Sequence, residues 1–457
     1  MTTSTTAAKQ DDDGTDTVVV NIERMLAAPH LRRRPPAAAA RLDDGGYSIF
    51  RVPANVDKKH YEPRLVSVGP YHRHKDHLRA MEHRKRLYLL RFLDAAARHR
   101  HGHGLLLRDC VDTARALAPR ARACYFESPA FAGDGDDEFV EMLLLDGCFV
   151  VQFFVQWFYG ETDPVFRVGW NLPLLHTDLL MLENQIPYFV LLELYEVAYS
   201  PATTTPTTVL RQEEDATIDH LLHLYHSTFV KPPDHLPPCR RQQCCHAGIG
   251  KAGPPPPPPP PPPRTIRCAK ELTLHGVKFS RKADTRNILD VTFDYSHGIL
   301  EIPRVAVDDT TCTRYMNLVA FEQCCGRGGD GNNNSKHLTS YVVLMDYLIN
   351  TAEDVVILDR AEVVENKLAN EEEAARFFNQ LRVCSYIDYD DHYLAPVYRD
   401  VDAFCRRKWP RYKAKFRRDY LNSPWAIFGF CLATTFAVIT LFNTIVTILK
   451  TFFHVLY

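Results

Sequence analysis

The chain is 457 residues long, 46% hydrophobic and 24% charged, which excludes wholesale disorder and leaves room for one large or two medium domains. Its formal net charge of -2 gives no global attraction to nucleic acid, and no nucleic-acid partner is expected. Thirteen cysteines, an odd number with adjacent pairs at Cys244-Cys245 and Cys324-Cys325, do not read as a disulfide framework and suit a reducing compartment.

In chain order, the first residues lack the charged and apolar regions of a secretory signal. Residues 1–45 read as a disordered tail rich in Ala, Pro, Asp and Arg, ahead of a domain over 46–405. Apolar residues recur every three to four positions over 78–93 and 105–126, which predicts helices. The stretch 138–159 is apolar nearly all round and predicts a central core helix. Its Glu141 and Asp146 argue against a membrane span there. A further buried helix is expected over 178–199, kinked or split by Pro187.

A low-complexity insertion follows at about 200–265, with a short helix expected near 216–229. It ends in ten consecutive prolines, Pro254 to Pro263, a stiff polyproline II rod that no packed core contains. We expect an exposed spacer, with docking of SH3- or profilin-like proteins as the alternative use. Period-two alternation over 276–280, 288–294 and 299–303, with a turn at 295–298, predicts a small antiparallel meander. Helices resume over 312–325, 338–350 and 371–384, the last opened by the capping box of Asn370 and Glu373. The expected class is α+β: a predominantly α-helical body, a small antiparallel β meander and one C-terminal transmembrane helix.

That last helix is the sharpest signal. Residues 425–449 carry no charged side chain, and at ~1.5 Å per residue they cross a hydrocarbon layer of ~30 Å with tilt to spare. Thr434, Thr435, Thr440, Thr444 and Thr447 can return their hydroxyls to carbonyls one turn back, so they cost little in lipid. The approach, 406–424, holds Arg406, Arg407, Lys408, Arg411, Lys413, Lys415, Arg417 and Arg418, whereas the short tail 450–457 holds only Lys450. By the positive-inside rule this is a tail-anchored, single-pass protein with a cytosolic body, its basic residues facing anionic lipid. The sequon Asn333-Asn334-Ser335 is then expected to stay unglycosylated.

Chemistry is sparse. Gly248-Ile249-Gly250-Lys251 lacks the spacing and the following Ser/Thr of a phosphate loop. No nucleophile elbow, zincin helix, kinase set or dinucleotide fingerprint is present. Three groups look metal-like: His72, His74 and His77; His99, His101 and His103; and Cys239, Cys244, Cys245 and His246. None has paired ligands at zinc spacing, and no metal, cofactor or catalytic residue is assigned.

Several stretches together resemble a known family. They are Ile49-Phe50-Arg51-Val52-Pro53, Ser67-Val68-Gly69-Pro70-Tyr71-His72, Asp146-Gly147-Cys148-Phe149, 178–187, the block from Gly276-Val277-Lys278-Phe279 to Leu300-Glu301-Ile302-Pro303, 317–323 and Asp354-Val355. With the terminal span, they are similar to the plant domain-of-unknown-function 247 family from about residue 48 onward. The insertion near 232–264 departs from it. The resemblance implies a plant protein with a C-terminal membrane helix and no established catalysis. Some grass members are associated with self-incompatibility, which implies recognition.

The family string at Glu183, Asn184, Gln185 and Pro187 also has a direct physical reading. Pro187 frees a carbonyl in an apolar helix, and the neighbouring amides can satisfy it; a ligand or partner site at the kink is the other use. The leading expectation is a non-catalytic, membrane-anchored recognition or scaffold protein. Its partners are a lipid bilayer and proteins bound through the helical body or the prolines. The alternative is an enzyme of unrecognised type at a membrane surface, resting on the histidines and acids between His60 and His103.

Overall fold

A computed structural model describes residues 47–100, 106–126, 136–161, 163, 168–199, 218–230, 261–283, 287–324, 336–381, 387–389, 392–407 and 424–456. The chain divides before Ser48, and everything below belongs to the unit from Ser48 to Tyr457. The expected tail 1–45, the sequon, the Cys239–His246 patch and most of the proline run lie outside the described residues.

The class is as expected: a largely helical body, a few short strands and one C-terminal apolar helix. Five helices build the first half: α1 (Arg79–Arg100), α2 (Leu106–Ala123), α3 (Asp136–Phe158), α4 (Asn171–Leu179) and α5 (Tyr188–Tyr199). α3 is the hub. Its run from Phe139 to Phe153 is buried apart from Glu141, and Phe149 meets Tyr88 of α1 edge-on at 5.0 Å. Inside the expected insertion, α6 (Leu221–Phe229) is ordered and buries Leu221 and Leu222.

The second half holds α7 (Ala269–Leu274), β1 (Lys278–Arg281), β2 (Thr292–Asp294), β3 (Ile299–Ile302), β4 (Val305–Val307), α8 (Asp309–Cys324), α9 (His337–Leu348), α10 (Ala352–Arg360), β5 (Val364–Asn366), α11 (Glu371–Leu381) and α12 (Ala395–Cys405).

The strands do not form a meander. β2 and β3 pair antiparallel as expected, but β1 runs parallel to β3 on its other edge, with Lys278 opposite Ile299. Ten residues separate β1 from β2 in the chain, too many for a tight hairpin, and Leu289 and Val291 just ahead of β2 are buried in the core. β2 pairs with the far edge of β3. A second pair, β4 and β5, is also parallel, with Val305 opposite Val364.

Two apolar cores result. One gathers α1 to α5 around Phe139, Phe149 and Leu194; the other gathers the strands and α7 to α12 around Leu300, Leu318, Tyr341 and Phe378. The stretch 180–187 runs between them, with Leu182 in the second core and Ile186 in the first. Finally, α13 (Pro424–Leu456) contains Ile427–Leu449, 23 residues of mean hydropathy 2.0, none of it buried. This one helix is long and apolar enough to cross a membrane.

Candidate functional site

Glu183, Asn184 and Gln185 do not sit in a helix. α4 ends at Leu179 and α5 begins at Tyr188, so Pro187 splits the expected helix and the residues before it form an irregular crossing. An irregular backbone buried between two cores has lost its helical hydrogen bonds, and each orphaned group must be paired or it costs free energy. The three side chains, each only 1% exposed, do that pairing.

Gln185 folds back on the end of α4. Its Nε2 donates to the carbonyls of Leu179 and Met181 (both 2.8 Å), and its Oε1 accepts from the Leu222 N–H of α6 (3.1 Å). Asn184 reaches the other way, accepting from the Val68 N–H (2.6 Å) and donating to the carbonyls of Val66 (3.0 Å) and Asp178 (2.8 Å). It therefore acts as one more strand partner for 66–68. Glu183 Oε1 accepts from the Val52 N–H (2.7 Å), and Oε2 stands 3.4 Å from His72 Nε2. Burial works to raise the Glu183 carboxyl, but the His72 and Val52 donors prevail and hold it below the usual carboxylate range.

Neighbouring residues extend the same logic. The Asp178 carboxylate accepts from the N–H groups of Arg64, Leu65 (2.6 Å) and Val66 (2.9 Å). Burial still pushes its pKa up, with those three donors offsetting part of the shift. Asp146, on α3, accepts from the Gly69 N–H (2.9 Å) and pairs with Lys85 Nζ (2.6 Å), which also meets Glu82 and Ser67. Burial raises the Asp146 carboxyl, and Lys85 works against it. Gly69 has φ +80°, and a Cβ there would lie 2.3 Å from the Gln185 carbonyl, so only glycine lets 66–72 approach this closely. Across the seam, Asn317 of α8 accepts from the Leu182 N–H (2.8 Å) and donates to the His60 carbonyl (2.8 Å).

Buried carboxylates also start helices. Glu322 accepts from the N–H groups of Leu338 (3.0 Å) and Thr339 (2.7 Å) in the first turn of α9. Asp354 accepts from Thr351 N–H (3.0 Å) at α10 and from Lys270 N–H (2.8 Å) in the first turn of α7.

Asp146, Asp178, Asn317 and Glu322 were therefore missed as single residues, although each lies in a stretch quoted above. The readable signal was a lone polar residue inside an apolar run. The structure thus brings 49–53, 66–72, Asp146, 178–187 and Asn317 to one seam.

It does not bring His72, His74 and His77 together, and His101 and His103 of the second group lie outside the described residues. His72 faces Glu183, His74 faces Glu138 (3.5 Å), and His77 bonds the Pro63 carbonyl (3.0 Å). Among the described residues no group of three or more His, Cys, Asp or Glu is placed to hold a metal. Of the expected lipid-facing residues, Arg406 and Arg407 are exposed at the end of α12, while Lys408, Arg411, Lys413, Lys415, Arg417 and Arg418 lie outside the described residues.

Comparison with known proteins places the chain. UPF0481 protein At3g47200 of Arabidopsis thaliana is 29% identical over 428 residues, which cover 88% of this chain and 86% of the relative. The UPF0481 protein At3g02645 of the same plant is 23% identical, with 86% and 88% covered. No solved structure matches. A family model described as a plant protein of unknown function, DUF247, matches residues 49–440, and these run from the first residues of the seam into α13. The chain belongs to the DUF247 family of plant proteins.

Proposed function

We propose that this chain is a non-catalytic recognition or scaffold protein held to a lipid bilayer by α13, with its body on the cytosolic side. The observation that carries this reading is the apolar window Ile427–Leu449, none of it buried, which at ~1.5 Å per residue is ~35 Å long. In water such a surface invites aggregation, and lipid removes that cost. The basic approach from Arg406 to Arg418 favours the cytosolic side for the body. Eight described cysteines are free thiols, which agrees with a reducing compartment.

The seam supports the absence of catalysis. Its carboxylates and amides are nine-tenths buried or more, and they bond mainly to the chain's own backbone, with Asp146 also paired to Lys85 and Glu183 facing buried His72. Among the described residues, His72, His74 and His77 point to separate partners. Recognition then falls to the outer surface of the body and to the proline run.

Alkaline carbonate extraction tests the anchor: the full-length chain is expected to stay with the membrane pellet, and release into the supernatant overturns the reading. Protease digestion of sealed vesicles tests the side. A tag on the body is expected to be cut without detergent. Proximity labelling with the full chain and with one lacking 420–457 is expected to return different partners; identical sets would count against an anchored role.

A further inference from the structure

The end of α3 turns an aromatic face outward. Phe154, Trp157 and Phe158 are spaced i, i+3, i+4 and so share one side of the helix, and Tyr159 follows directly. All four are exposed, and so is Trp170 just before α4, at 70%. The face is held, not loose. The Trp157 ring packs on buried Phe153 (6.3 Å between centroids) and edge-on against His176 of α4 (5.5 Å). Trp170 caps the N-terminal end of α4, six residues ahead of His176. Among the described residues, the exposed large apolar side chains elsewhere on the body include Leu90, Leu107 and Leu274 and the aromatics Phe126 and Tyr295.

We infer that this aromatic face is a second membrane contact, seated in the headgroup layer of the same bilayer that α13 crosses. The inference rests on the anchoring proposed above. Tryptophan and tyrosine pair an apolar ring with a polar edge, and that combination concentrates at the water–lipid boundary. The chain has four tryptophans: Trp157 is on this face, Trp170 is exposed at the start of α4, and Trp409 and Trp425 lie on the N-terminal side of the span. The tether keeps the face near lipid. Residues 408–424 join the body to the span and reach at most ~60 Å when fully extended, so the bilayer is always within range. Of the two acids that follow the rings, Asp163 is buried against Arg84 (3.9 Å) and Arg91. Glu161 alone stays in solvent. A body seated this way lies down on the membrane instead of swinging from its tether.

The test uses the full chain with Trp409→Phe and Trp425→Phe, which leaves Trp157 and Trp170 as reporters. It is reconstituted in vesicles of phosphatidylcholine and phosphatidylserine, with and without bromine on the acyl chains near the headgroups. Loss of tryptophan emission in the brominated vesicles, together with a shift to shorter wavelength, is the expected result. Equal emission in both, from protein that still resists carbonate, overturns the inference, leaves the anchor standing and assigns the face to a protein partner. Protein that washes off in carbonate defeats the anchor, and this inference with it.

Discussion

The seam between the two cores and the helix α13 break the same rule in opposite directions. At the seam polar side chains are buried; along α13 apolar side chains are exposed. Both are viable because hydrogen bonds close internally. Asn184 and Gln185 spend their amides on carbonyls and N–H groups of an irregular backbone. In α13 the hydroxyls of Thr434, Thr440 and Thr444 return to the carbonyls of Phe430 (2.9 Å), Phe436 (2.7 Å) and Thr440 (2.8 Å). The difference is what each surface meets. The seam's bonds tie particular segments to one another, whereas the bonds of α13 make it indifferent to its surroundings, as a lipid-facing helix must be.

The comparison breaks most visibly at Asn184. Asn184→Ala orphans the Val68 N–H and the Val66 carbonyl and takes one donor from the Asp178 carbonyl, which keeps the Met181 N–H; at about 1–3 kcal/mol for each orphaned group the expected total is near 3–5 kcal/mol. Urea unfolding of the detergent-solubilised chain measures it. Unchanged stability with lost partner binding would make the motif a docking site instead.

Next in size is acid sensitivity. Burial holds His220 and His392 down to about 4. In the unfolded chain they return to the ordinary value near 6.5, so the unfolded state binds more protons between those limits. Stability is therefore complete above about pH 6.5 and falls as pH drops toward 4, by up to about 3 kcal/mol for the fully buried His220 and by less for the partly buried His392. His220→Gln is expected to flatten that slope in unfolding midpoints measured across the window. The smallest effect belongs to α13. Thr440→Val is expected to change membrane retention by no more than a few tenths of a kcal/mol, because its hydroxyl bonds only its own helix.

Much of this was legible in the sequence wherever structure is local. The helical periods at α1, α2 and α3, the Asn370 cap of α11 and the apolar window of α13 depend on neighbours three or four residues away. The seam did not read as what it is. The apolar context of 178–187 favours a helix, and the bonds that hold it otherwise include several to residues more than a hundred positions distant, Val52 and Val68 among them. The parallel pairing of β1 with β3 and of β4 with β5 is non-local in the same way. The short helices α7, α10 and α12 carry too few turns for a period to show. Asp354, which starts two helices at once, looks in sequence like any acid near a helix N-terminus.

Leu182 and Ile186 are four positions apart in the chain and belong to different cores, and this fixes how the body comes apart. A fragment ending before residue 200 would keep α1 to α5 yet lose the Leu222 N–H held by Gln185 and the Asn317 amide that holds Leu182. A fragment starting later would lack the stretch that α8 is built to grip. Neither half can be excised as a domain. Melting should therefore be a single calorimetric transition, and a protease that nicks the chain between the cores would leave two pieces that stay associated until both unfold.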